Sequence, residues 1–239
     1  MPVAPLEPPA RHRVEPVWMP RKSATVTKRT AKANAHSLNE PGMPGRGGTT
    51  PDLLRDSVHD VIAFLNPQNV TRHARYAPRG SLTFCNVYAH DFCALCGVYL
   101  PRVWWTEAAL AAVAGGATVV PFYGNTIQEM RANDLFRWLA AYGGRFGWQR
   151  VLSATDLQNH ANLDAVCLII ARRKNDGASG HVSMVVPETE THRARRLPGG
   201  AVSAPLQSQA GSRNFNYDAG RTDWWKADKY ADSAMWVHP

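Results

Sequence analysis

The apolar residues of this chain change their period part-way along it. Before Trp148 they recur mainly at helical spacing; after it they come mostly in short runs of strand length. Leu53, Leu54, Val58, Val61, Ile62 and Leu65 predict a first helix that begins near Asp52 and is stopped by Asn66–Pro67. A second apolar segment runs from Phe84 to Val98. Trp104 to Ala114 reads as a short helix ended by Gly115–Gly116, and Ile127 to Tyr142 as the clearest amphipathic helix, closed by Gly143–Gly144. Beyond Trp148, Thr155 to Leu163 adds one short helix. Val166–Ala171, His181–Val186, Ala204–Gln209 and Ala234–Val237 are strand candidates with turn-like material between them. Helices first and strands later predict an α+β domain whose helices pack on one face of a mostly antiparallel sheet.

That domain is expected to occupy residues 51 to 239. Residues 1 to 50 have few large apolar side chains and no sustained period, and they hold 8 of the 17 prolines. They read as a disordered, basic, proline-rich arm, because such a segment buries too little apolar surface to offset its ordering entropy. The arm carries 8 Lys/Arg against 3 Asp/Glu, so most of the formal charge of +8 belongs to it. A whole-fold nucleic-acid binder is therefore not the expectation. No window approaches 18 consecutive apolar residues, so membrane insertion is not expected. The N-terminus lacks the apolar core of a secretory signal. Four cysteines are too few for a disulfide scaffold in 239 residues, which points to a reduced protein made in the cytoplasm.

Three segments carry candidate chemistry. In Thr83-Phe84-Cys85-Asn86-Val87-Tyr88-Ala89-His90-Asp91, Cys85 stands at the start of a helical pattern. There the unpaired backbone N–H groups and the helix dipole favour thiolate over thiol. In Gly180-His181-Val182-Ser183-Met184-Val185-Val186-Pro187-Glu188, His181 opens an apolar strand, where an imidazole can partner a thiolate and protonate a leaving amine. In Pro205-Leu206-Gln207-Ser208-Gln209-Ala210-Gly211, Gln207 and Gln209 share one face of a strand, from which one of them could orient the imidazole. Glu188 is a rival orienter.

Taken in order, a Cys at a helix start, a Gly-His strand and a polar residue on the next strand resemble the papain-like plan. The chain resembles bacterial cysteine peptidases and amidases of the NlpC and CHAP type. Within that superfamily, T-F-C-N-V-Y-A-x-D, G-H-V-x-M-V-V-P-E and S-Q-A-G-x-x-N resemble a group of phage-associated and secreted-effector hydrolases. The chain departs from NlpC proteins, which usually show Asp before the Cys and Ser-Gly after it, where Phe84 and Asn86 stand here. The resemblance implies a papain-like fold over about residues 52 to 238. It also implies cleavage of amide bonds in peptidoglycan stem peptides through a thioester, with Cys85, His181 and Gln209 as the catalytic set. No metal or organic cofactor is implied. Action in the periplasm or cell wall would follow specialised export or lysis, with an immunity or delivery protein as partner.

Other features weigh against different readings. Cys93-Ala94-Leu95-Cys96 has no second close ligand pair, so small core residues are expected there rather than a zinc site. Trp104–Trp105 and Trp224–Trp225 cannot both face a core from a single strand, so one of each pair is expected at the rim. His192-Arg193-Ala194-Arg195-Arg196 reads as a basic, solvated loop. Two alternatives stay open: a non-catalytic protein binding nucleic acid or another anionic polymer, and a papain-like protein deamidase or transglutaminase.

Overall fold

Thr50 and Pro51 start the first helix, the hydroxyl of Thr50 accepting from Leu53 N–H and the proline ring presetting the first turn. This helix, α1 (Pro51–Leu65), ends where Asn66 takes the left-handed conformation. In the computed structural model, which describes residues 14–22 and 24–239, there follow α2 (Cys85–Leu95), β1 (Val103–Trp105), α3 (Glu107–Ala114), β2 (Ile127–Glu129) and α4 (Ala132–Tyr142). The second half adds β3 (Gln149–Val151), α5 (Ala154–Asn162), β4 (Val166–Arg173), β5 (His181–Val185), β6 (Arg195–Arg196), β7 (Val202–Ala204), β8 (Gln207–Gln209), β9 (Phe215–Asp218) and β10 (Tyr230–His238).

The architecture is α+β. A six-stranded sheet runs in the order β3-β10-β4-β5-β8-β9, and every pairing in it is antiparallel. Among the described residues, no helix is long and apolar enough to cross a membrane.

The strand β4 explains its own continuous apolar run. Val166, Leu168 and Ile170 join the large core with α1, α2 and α4, whereas Cys167, Ile169 and Ala171 join a second core with Leu157 and Ala161 of α5 and Trp225. Alternate side chains point to opposite faces, so a strand covered on both sides must be apolar throughout. The expected one-faced packing of the helices is corrected by α5, which covers the other face.

Two expected helices begin later than their apolar pattern suggests. Ile127–Glu129 pairs antiparallel with Val103–Trp105, and α4 starts only at Ala132, where the Asp134 carboxylate reaches back to accept from the Arg131 backbone N–H. Trp104 likewise belongs to a strand, and α3 starts after Thr106 caps Ala109 N–H. A strand followed at once by a helix mimics one longer helix whenever its few apolar residues fall at helical spacing.

The expected disordered arm is also corrected, over residues 14–22 and 24–50; residues 1–13 and 23, the remainder of that expectation, lie outside the described residues. Val17, Ala35 and Leu38 are buried in the large core although no helix or strand forms around them. Polar contacts hold the segment as a strap. Tyr99 Oη accepts from Val17 N–H at 3.0 Å, Ser37 Oγ meets His90 Nε2 at 2.8 Å, and Arg102 Nε donates to the Asn34 carbonyl. Arg29 pairs with Glu40 at 2.6 Å and its guanidinium lies 3.4 Å from the Phe64 ring centroid. The domain supplies the buried surface that the strap's own composition lacks, which is why periodicity does not reveal it.

The strap, the loop after α1 and α2 converge on one ion pair. Arg75 donates from Nε and Nη2 to Asp91 of α2 at 2.5 and 2.9 Å, and Nη2 also donates to the His36 carbonyl of the strap. Tyr76 Oη donates to the same carboxylate at 2.9 Å. Both charged side chains are wholly buried. Burial acts to lower the Arg75 pKa, yet the Asp91 charge and hydrogen bonds outweigh it and raise the pKa on balance. Removing one partner leaves the other buried and uncompensated. Asp91→Ala should therefore cost roughly 3–5 kcal/mol in urea unfolding; a loss under about 1 kcal/mol would mean that the pair does not anchor the fold.

Candidate active site

Cys85 is the first residue of α2, and its N-cap, Phe84, makes no side-chain hydrogen bond to the helix. The first-turn N–H groups are thus left for other acceptors. The His181 imidazole and the backbone N–H groups of Asn86 and of Val182 on β5 all act on the thiol to favour its charged form. Cys85 is only 2% exposed.

His181 opens β5 across from Ala171 of β4. The backbone must come very close there: a Cβ on Gly180 would lie 2.5 Å from both the Ala171 carbonyl oxygen and Asn133 Oδ1. Only glycine fits. Asn133, buried on α4, accepts from Arg173 N–H and donates to the Ala178 carbonyl, pinning both ends of the loop that delivers His181. Pattern reading missed Asn133; its one signal is an amide beside Ala132 in a helix otherwise split cleanly into apolar and charged faces.

Gln209 is the residue that bonds the imidazole. Its Oε1 lies 2.7 Å from His181 Nε2, and its Nε2 donates to the Arg213 carbonyl at 2.9 Å. The second bond fixes which end of the amide faces the ring, so His181 Nε2 is the donor to Gln209. That leaves Nδ1 for the thiol. The β5–β8 register places Val185 opposite Gln207 and Met184 opposite Ser208, so Gln209 lies diagonal to His181 within side-chain reach. Gly211 keeps the space open, since a Cβ there would sit 3.1 Å from His181 Cε1.

The two rival orienters have other partners. Gln207 accepts from Trp224 Nε1 at 2.9 Å and donates to the Pro205 and Ala219 carbonyls. It acts on the histidine only at one remove, because the Trp224 ring packs edge-on against His181 with centroids 4.8 Å apart. Glu188 makes two 2.6 Å contacts with Arg196, and accepts from Asn162 and Ala194 N–H. Those bonds, Arg196 first, hold its carboxyl down at about 2. Arg196 of the expected solvated loop is therefore tied to the domain. Of each tryptophan pair, one member is buried (Trp104 and Trp225) and the other is half-buried.

Electrostatics separate Cys85 from the other thiols. Burial raises all four. Cys93 goes well above its ordinary value, Cys96 is pushed up to about 12, and Cys167 rises as well. At Cys85 the same burial is outweighed by the His181 hydrogen bond and charge and by the two backbone donors, so its pKa is lowered. His181 mirrors this: burial acts to lower it, but the bond and charge of Cys85 and the bond from Gln209 raise it overall. The arrangement favours thiolate beside imidazolium. Both Cys93 and Cys96 lie fully within the core, as small core residues would.

A cleft of about 480 Å³ opens in front of His181, with Thr83, Gln209, Trp224 and Tyr230 in its wall. Since burial would lift an unpartnered thiol, the rate of Cys85 alkylation should rise with pH to a midpoint below the free-thiol value of about 8.5. His181→Ala should move that midpoint above the free-thiol value, and Gln209→Ala should move it up by less. A profile of iodoacetamide labelling, read at Cys85 by peptide mass spectrometry, checks both; an unmoved midpoint in His181→Ala would show that the two side chains are not coupled. The chain matches no known family profile and no curated protein.

Proposed function

We propose that this chain is a papain-like cysteine hydrolase that cleaves amide bonds in the stem peptides of bacterial peptidoglycan. The observation that carries the proposal is the electrostatic coupling of Cys85, at an uncapped helix start, to His181, whose ring is held by Gln209 at 2.7 Å. The cell-wall substrate rests on the sequence resemblance.

The chemistry is acyl transfer. Cys85 Sγ attacks the amide carbonyl, forming a C–S bond and a tetrahedral oxyanion that the free N–H groups at the start of α2 stabilise. His181 Nδ1–H gives its proton to the nitrogen as the C–N bond breaks, and the amine leaves. The neutral imidazole then takes a proton from water, whose oxygen attacks the thioester. The C–S bond breaks, the acid is released, and the thiolate–imidazolium pair is restored. Gln209 accepts from His181 Nε2–H throughout, so the ring keeps its orientation in both protonation states. Trp224 covers one edge of the ring and limits water there.

The cations of the strap and of the 192–196 loop lend little support to the nucleic-acid alternative, since Arg29 and Arg196 are paired internally. Purified peptidoglycan treated with the full chain should release soluble muropeptides with new amino termini. Cys85→Ala and His181→Ala should each reduce that release by roughly 10³-fold or more. Persistent release by folded Cys85→Ala would overturn the proposal, as would the absence of release by the wild type from several peptidoglycan types.

A further inference from the structure

The wall of the cleft in front of His181 contains four cations, Arg173, Arg213, Arg221 and Lys229, and among the described residues no carboxylate. They come from three separate parts of the chain: the end of β4, the turn between β8 and β9, and the segment leading into β10. Only Arg213 is neutralised, by Asp218 at 2.8 Å. Arg173 spends its Nε on the Ser179 carbonyl, and it and Lys229 lie 5.6 and 5.1 Å from the Tyr230 ring centroid. Neither has an acidic partner among the described residues, and neither does Arg221. The acids nearby in sequence are already taken up: Asp223 by Lys226 and Asp228 by Lys174.

Such a grouping works against the fold on its own, because like charges repel and no acid relieves them. It is also an odd setting for His181, whose protonated form each neighbouring cation disfavours; Lys229 does so directly. A bound anion would relieve both. We infer that this cleft receives an anionic acyl substrate, a peptide with a free carboxylate on a residue flanking the scissile amide, held by Arg173, Arg221 and Lys229. The inference rests on the acyl-transfer reading of Cys85 and His181 and adds the charge of what they act upon. Arg173 and Tyr230 would form the inner part of the carboxylate site, and Arg221 and Lys229, both exposed, its rim.

Two alkylating reagents of nearly equal size test this in the full-length protein. Iodoacetate carries the negative charge that iodoacetamide lacks, so burial of Cys85 affects both alike and cancels in the ratio of their rates. At low ionic strength the iodoacetate-to-iodoacetamide ratio at Cys85 should exceed that of N-acetylcysteine by about 10-fold or more. Added salt should shrink the excess, and Arg221→Gln with Lys229→Gln should remove most of it. These exposed side chains are replaced without touching the core, and thermal melting confirms the fold. Stem tripeptides with free carboxylates should likewise be cleaved with lower KM than their carboxamides. Rapid labelling of Cys85 with a ratio equal to that of N-acetylcysteine, or one indifferent to the double substitution, would overturn the anionic substrate while leaving the cysteine hydrolase standing. Failure of both reagents to label Cys85 would overturn the hydrolase reading, and the substrate inference with it.

Discussion

A charge pair with no access to water ties this molecule together. Arg75 lies in the loop between α1 and α2, Asp91 on α2, and the carbonyl of His36 in the strap. None of the three pieces is held by sheet pairing. Desolvating two ions costs several kcal/mol each unless their geometry is satisfied, so the pair tolerates only one arrangement of the segments that carry it. Asp91 sits six residues after Cys85 on the same helix, so whatever fixes the carboxylate also fixes the helix start. Tyr88, between them, meets Ser208 of β8 at 2.5 Å and secures the same helix against the sheet. The position of one sulfur thus depends on contacts made well away from it.

Burial alone would raise the Cys85 pKa, as it does at the other three thiols. The sulfur's environment differs from theirs in having hydrogen-bond donors rather than in being wetter. An uncapped helix start leaves N–H groups unspent, β5 adds another, and the imidazole adds a charge. Each of these would be a liability elsewhere in a core, where unpaired donors and isolated cations are costly. Here they offset one another. The amide of Gln209, locked by the Arg213 carbonyl, keeps the ring aligned without adding a negative charge that would compete with the thiolate.

Much of this was legible beforehand, for definite reasons. Apolar spacing from Leu53 onward and the stop at Asn66-Pro67 bounded α1 well, because both signals are local. The Gly180-His181 pair marked the start of an apolar strand, and the structure shows why glycine stands there. The choice among Gln209, Gln207 and Glu188 was not decidable from spacing, because it depends on strand register and on which amide or carboxylate finds another partner first. Glu188 went to Arg196, and Gln207 to Trp224. The strap was illegible because its few apolar residues, Val17, Ala35 and Leu38, are buried by a surface formed elsewhere in the chain.

By itself the sequence determined the α+β character, the helix ends set by Asn66–Pro67, Gly115–Gly116 and Gly143–Gly144, and which residue types could do chemistry. These follow from interactions among residues a few positions apart, whose energies are settled locally. Only the tertiary structure decided that α5 covers the second face of the sheet, that residues 14–22 and 24–50 pack against the domain, and that three unneutralised cations share a cleft with His181. Those outcomes depend on groups that are distant in sequence coming within a few ångströms, where burial and Coulomb terms dominate and no short pattern records them.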